Sequence, residues 1–141
     1  MKKLTILAIS AAASFALLPA SASAQSTMAY PEKCKSQGMD TSKMDMPSDG
    51  MPMGEMTDYQ KASMEGMKDM RMNMMQGMMK KDADLSFVCG MIAHHMGAIS
   101  MSEVELKYGD NDEAKQMARK VIEAQKKEIE EMSRWVDKEA K

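Results

Sequence analysis

The sequence predicts an all-α protein, an antiparallel bundle of three helices behind a flexible Met-rich arm. Three observations carry that prediction. No proline occurs after Pro52. Helix-start signals recur at Thr57, at Asp82 or Asp84, and at Asp110. Between them the apolar residues return at helical spacing. A chain of 141 residues with 28% charged and 44% hydrophobic residues has room for one domain, which excludes two-domain and membrane-channel readings. The outlying figure is methionine, 21 residues against two Phe, three Tyr, one Trp, two Cys and two His.

Residues 1–24 read as an export signal. Lys2 and Lys3 precede an apolar run from Leu4 to Leu18, followed by Pro19 and the small residues Ala22-Ser23-Ala24. An uncleaved anchor would need an apolar stretch of about 20 residues, and this run is shorter. Cleavage after Ala24 leaves Gln25 to Lys141, with 17 Lys and Arg against 21 Asp and Glu, a net charge of −4. That balance argues against a nucleic-acid partner. The expected product has no stable membrane insertion and resides in the periplasm or outside the cell. No cysteine follows the cleavage site, so a lipid anchor is not suggested.

Residues 25–56 hold Pro31, Pro47 and Pro52 with Gly38, Gly50 and Gly54 and no run of large aliphatic residues. Such a segment buries too little to offset its ordering entropy and reads as a flexible arm. It nevertheless carries Met39, Met44, Met46, Met51, Met53 and Met56, which a plain linker would not.

The helical domain is expected over 57–141. Thr57 and Gln60 form a capping-box pattern opening a first helix from Asp58 to about Lys80. At 100° per residue Met64, Met67, Met70, Met74 and Met78 share one side, widened by Met72, Met75 and Met79, with Glu65, Asp69, Asn73, Gln76 and Lys80 opposite. A second helix, capped by Asp82 or Asp84, ends near Tyr108 with Gly109 as its C′ residue. Asp110 and Glu113 suggest a capping box for a third, running toward Lys138. Connections this short make the helices antiparallel neighbours. Three helices with few large side chains form a modest core, which leaves room for a homodimer or for clasping by the arm.

The candidate chemistry lies on the second helix. Phe87, Met91, His94, His95, Ala98 and Met101 fall within about a 120° arc, the width expected of a core-facing stripe. Met91 precedes His94 by three residues and His95 by four, within reach of either ring. One buried histidine is ordinarily a packed residue with its nitrogens hydrogen-bonded. Two adjacent ones require four satisfied nitrogens, which a metal ion relieves. Gly90 and Gly97 share a face beside His94, where a neighbouring helix or the arm could approach closely, or they are tolerated drift. On the third helix Ala114, Met117, Ala118, Val121, Ile122, Ile129, Met132, Trp135 and Val136 form an apolar side, with Gln125 and Glu128 in its middle. Gln125, Glu128 and Met132 are expected to support the histidines or to ligate directly, unless the polar stems reach out to solvent.

Methionine is a soft gap-filler and also makes adaptable peptide-binding faces, but neither use accounts for methionine in a polar arm. Thioethers suit Cu(I), and by similar softness Ag(I), far better than Zn or Mg. The metal-ligand candidates are therefore His94, His95, Met91, Met96, Met101, Met67, Met70, Met74 and Met78, with the six arm methionines as auxiliary ligands. Cys34 and Cys89 form an even pair in an exported chain, read either as a disulfide or as thiols.

The stretch Asp84 to Val136 resembles the CopM-like copper-binding proteins, a periplasmic family long catalogued as a domain of unknown function. The resemblance lies in Phe87, Met91-Ile92, His94-His95, Ala98, Met101, Gly109, Ile122, Gln125, Glu128-Ile129, Met132 and Trp135. It implies a ferritin-like helical fold, copper binding through the double histidine and nearby methionines, and a part in copper tolerance. This chain departs from the family in its shortness, its single double-histidine motif and the presence of Cys89.

The expected function is a periplasmic copper-binding protein that sequesters or carries Cu(I), with Cu(II) at the histidines and Ag(I) as further cargo, and with a copper-handling protein as partner. The alternative is a Met-rich interaction module that binds an amphipathic helix or an unfolded client. No His-Glu-x-x-His, Glu-x-x-His or Ser-His-Asp pattern points to an enzyme.

Overall fold

A computed structural model describes residues 28–36 and 56–141. The expected export signal over 1–24 and the arm residues Met39, Met44, Met46, Met51 and Met53 lie outside the described residues. Within them the protein is an all-α bundle of three helices, α1 (Asp58–Met78), α2 (Ala83–Tyr108) and α3 (Asp112–Glu139), preceded by a 3-10 turn at Glu32–Cys34.

The helix starts follow their caps. Thr57 accepts from the Gln60 amide while the Gln60 side chain accepts from the Thr57 amide, closing the capping box of α1. Asp82 accepts from the Leu85 amide at 2.8 Å and opens α2. The cap of α3 differs from expectation by one residue: Asn111 accepts from the Ala114 amide at 2.9 Å, leaving Asp110 in the connection and Glu113 in the first turn. Asn is as good an N-cap as Asp, so a local preference could not separate them. Gly109 ends α2 with φ −67°, not the left-handed conformation expected of a C′ glycine. Its lack of a side chain matters for another reason, since a Cβ there would collide with the Glu105 carboxylate and carbonyl.

The central helix is α2, with α1 packed along one flank and α3 along the other and little direct contact between those two. The α1–α2 approach is close because glycines lie in it. A methyl group on Gly77 would sit 2.8 Å from the Gly90 amide nitrogen, and one on Gly97 would collide with the Met70 sulfur. Gly90 itself has open space where a Cβ would be, so of the glycine pair on α2 only Gly97 receives a neighbouring side chain.

The beginning of the expected arm is docked. Tyr30 is 5% exposed and Cys34 fully buried, both in one core with Ile92, Ala93, Ile99, Ile129 and Val136. The Tyr30 hydroxyl donates to the Cys89 carbonyl at 3.1 Å, and Cys34 is bonded to Cys89 with their Cα atoms 5.4 Å apart. Lys33 donates to the carbonyls of Asp137 and Ala140 at the end of α3, and Ser36 to that of Gln76 near the end of α1. Helix ends leave such carbonyls without intrahelical partners. Residues 28–36 therefore form a clasp that joins all three helices across one face. Composition marked this segment as arm because its proline and charged residues outweigh a single aromatic and a single cysteine, and those two residues are what anchor it.

Candidate functional site

The clasp, α1 and α3 together determine which side of α2 is buried. Its inward residues are Cys89, Ile92, Ala93, His95, Gly97, Ile99 and Ser102. The arc expected to face the core is instead mostly the opposite, open face: Phe87 is 67% exposed, Met101 59%, and His94 is also exposed. The physical reason is that α2 is apolar nearly all round, and is long and apolar enough to cross a membrane by length and composition alone. Periodicity then cannot mark a buried side, and the partners on three flanks decide it.

His95 sits at the edge of that open arc and turns into the seam with α3. It is 8% exposed, and its Nε2 lies 2.6 Å from Glu128 Oε2. The same carboxylate oxygen accepts from Gln125 Nε2 at 3.4 Å. An ionised carboxylate only accepts, so in the neutral ring the His95 hydrogen is on Nε2 and the lone pair on Nδ1. That Nδ1 is buried and has no hydrogen-bond partner among the described residues. The bond to Glu128 thus fixes the tautomer and leaves an electron pair in search of an acceptor.

His94 stands next to it, ring centroids 6.0 Å apart and planes inclined at 65°. Met91, one turn before His95 and half-buried, and Met101 lie on the same arc. The register set by Gly66 against Ser100 and by Gly97 against Met70 brings Met67 near the level of Met101 and Met74 near that of His94. By helical stepping Met67, Met74 and Met78 share the flank of α1 turned away from Asp69 and Asn73. Met67 and Met78 are exposed, and Met74 packs against the core.

Two candidates do not join this group. Met70 and Met96 line a cleft on the clasp side of the bundle, with Met28 and Met72. The methionines expected around one double-histidine center are thus divided between two faces. Met132 packs against the core, and Met56 lies just before the cap of α1. Met117 and Val121 on α3, expected to be buried, are exposed. Among the described residues no three His, Cys, Asp or Glu side chains converge on a point. Tyr30, Lys33 and Ser36 were not distinguished by sequence reasoning, and the aromatic at position 30 was the available signal.

The fold and site define a class: a three-helix domain with a histidine–carboxylate pair between its second and third helices and thioethers on both faces. The chain belongs to the family described as Domain of unknown function (DUF305), which matches residues 20–136. A comparison with curated proteins found no match.

Proposed function

We propose that this protein binds copper, sequestering or carrying Cu(I) after export, with Cu(II) and Ag(I) as further cargo, and so contributes to copper tolerance as the CopM-like resemblance implies. His95 Nδ1 is the primary ligand atom. His94, Met91 and Met101 are the donors nearest to it in sequence and on the same arc, and Met67, Met74 and Met78 of α1 are further ligands. Glu128 and Gln125 orient the imidazole, as partners of metal-bound histidines do. The arm methionines serve as auxiliary ligands, and a copper-handling protein receives the ion.

The observation that carries this reading is the unpartnered buried Nδ1 of His95 opposite a fully engaged Nε2. Leaving a buried acceptor unmatched costs about 1–3 kcal/mol, and a soft or borderline cation removes that cost. Native mass spectrometry of the purified protein with Cu(I), Cu(II), Ag(I) and Zn(II), repeated on His94→Ala/His95→Ala, tests it. Uptake of the monovalent ions that falls with the double substitution supports the reading, and a preference for zinc contradicts it.

A second reading is favoured by the exposed apolar residues Phe87, Met101, Met117 and Val121. In it the open face receives an amphipathic helix or an unfolded client, or a second copy of the chain. Methionine-to-leucine substitution separates the two, because leucine keeps an apolar face and removes every thioether ligand.

A further inference from the structure

We propose that the open face of α2 pairs with the same face of a second copy of this chain, antiparallel and about a dyad through Ala98. The inference rests on the second reading of the open face, to which it gives one occupant, and it holds with or without copper.

Phe87, Met91, His94, Ala98 and Met101 follow one another at alternating steps of four and three residues, and Glu105 and Tyr108 continue the series. That is a period of 3.5 residues, the spacing by which one helix keeps a single seam turned toward another. Within the chain the seam is left open. Phe87, Met101, Tyr108 and His94 are exposed, and Met91 and Ala98 are half-buried. Gly90 lies at its edge, with nothing in the chain where a Cβ would be. A glycine inside a helix costs about 1 kcal/mol against alanine, and close approach by another backbone is a use for it.

The occupant follows from the order of residues along the seam. Turned end for end about Ala98, the seam matches itself, as the interface of a symmetric dimer must. Phe87 meets the second copy's Tyr108, an aromatic pair, and His94 meets the second copy's Met101. Met91 meets the second copy's Glu105, whose carboxylate is turned back against Gly109 and leaves its methylenes on the seam. Ala98, with the smallest side chain of the series, falls where the two helices come closest. Parallel pairing would instead oppose each Glu105 to its own copy, like charge to like.

The area also suffices. From Phe87 to Tyr108 the seam runs about 32 Å at 1.5 Å per residue, and the exposed Met78 of α1 and Met117 and Val121 of α3 widen it on both sides. Three helices about 9 Å apart make a face about 25 Å across. Pairing would thus cover about 800 Å2 of each copy, the size of a stable specific interface.

The test is sedimentation equilibrium of the purified protein in the presence of a metal chelator, with cross-linking of cysteine variants. A dimer mass is expected. Ala98→Glu, which brings two carboxylates together at the dyad, is expected to raise the dissociation constant at least ten-fold with the helical circular dichroism unchanged. A short thiol cross-linker is expected to join two chains through Ala98→Cys and not through Phe87→Cys, whose thiols lie at opposite ends of the antiparallel pair. Cross-linking through Phe87→Cys marks a parallel pair and overturns the proposal, as does an unchanged dissociation constant in Ala98→Glu. A monomer in chelator overturns it too, and a helical peptide that then binds the monomer's open face keeps the second reading while removing the second copy as its occupant.

Discussion

His95 and Glu128, thirty-three residues apart on adjacent helices, meet through a single 2.6 Å contact between Nε2 and a carboxylate oxygen. The copper reading of the open face depends on the consequence of that contact, a lone pair held on the buried Nδ1. The carboxylate is half exposed and the imidazole is not, so the pair joins a solvated anion to a ring that has left water.

Glu128→Gln keeps the shape of the side chain but can present a donor to Nε2 in place of the acceptor. Substitution of such orienting partners typically lowers metal affinity 10- to 100-fold. The same loss in Cu(I) affinity, measured by competition with a chelator, is expected here with the helical circular dichroism unchanged. Affinity equal to the parent protein would remove Glu128 from the site.

Burial of Tyr30 pushes its phenol up to about 12. In the unfolded chain the same group ionises near 10, so between these values the unfolded state releases a proton that the folded state retains. The contribution of Tyr30 to stability is therefore complete below pH 10 and is lost as pH rises toward 12. Denaturant unfolding of the parent and of Tyr30→Phe is expected to show a stability difference that narrows across that window. A pH-independent difference would mean that the phenol is not buried as described.

The Cys34–Cys89 bridge closes a loop with a sequence separation of 55 residues. A constraint of that length on the unfolded chain is worth about 4 kcal/mol in the chain-entropy account. Cys34→Ser/Cys89→Ser is expected to lower the unfolding free energy by about 2–4 kcal/mol in a urea titration. A change below about 0.5 kcal/mol, the size of an ordinary surface substitution, would show that the bridge contributes nothing to the fold.

Gly97→Ala puts a methyl group where the Met70 sulfur lies. Overpacking of this kind costs about 1–3 kcal/mol, and the expected signs are a lowered melting temperature and a displaced Met70 methyl resonance. A neutral substitution would mean that α1 is free to shift away from α2.

The helices were legible because their ends carry local signals: the Thr57–Gln60 box and Asp82 each act within one turn, and sequence shows them directly. Asn111 and Gly109 show the limit of that reasoning, since the first competes with an equally good neighbour and the second is needed for contact with Glu105 rather than for a left-handed backbone. The buried side of α2 was not legible at all. Ile92 and Ile99 face inward and Phe87 and Met101 outward, yet all four are large and apolar, and only the positions of α1, α3 and the clasp distinguish them. The pairing of His95 with Glu128 could be anticipated from a carboxylate lying mid-stripe on α3. The separation of the methionines onto two faces could not, because it depends on where Met28 docks.

The most direct measurement is ring 15N NMR of His95 during addition of one equivalent of Cu(I) under reducing gas. Before addition Nε2 is expected to carry the proton and Nδ1 the lone pair. On addition the Nδ1 signal should move to a metal-bound position while Nε2 remains protonated. Copper uptake with an unchanged Nδ1 signal, or coordination through Nε2 with loss of the Glu128 contact, would contradict the assignment of His95 as the primary ligand.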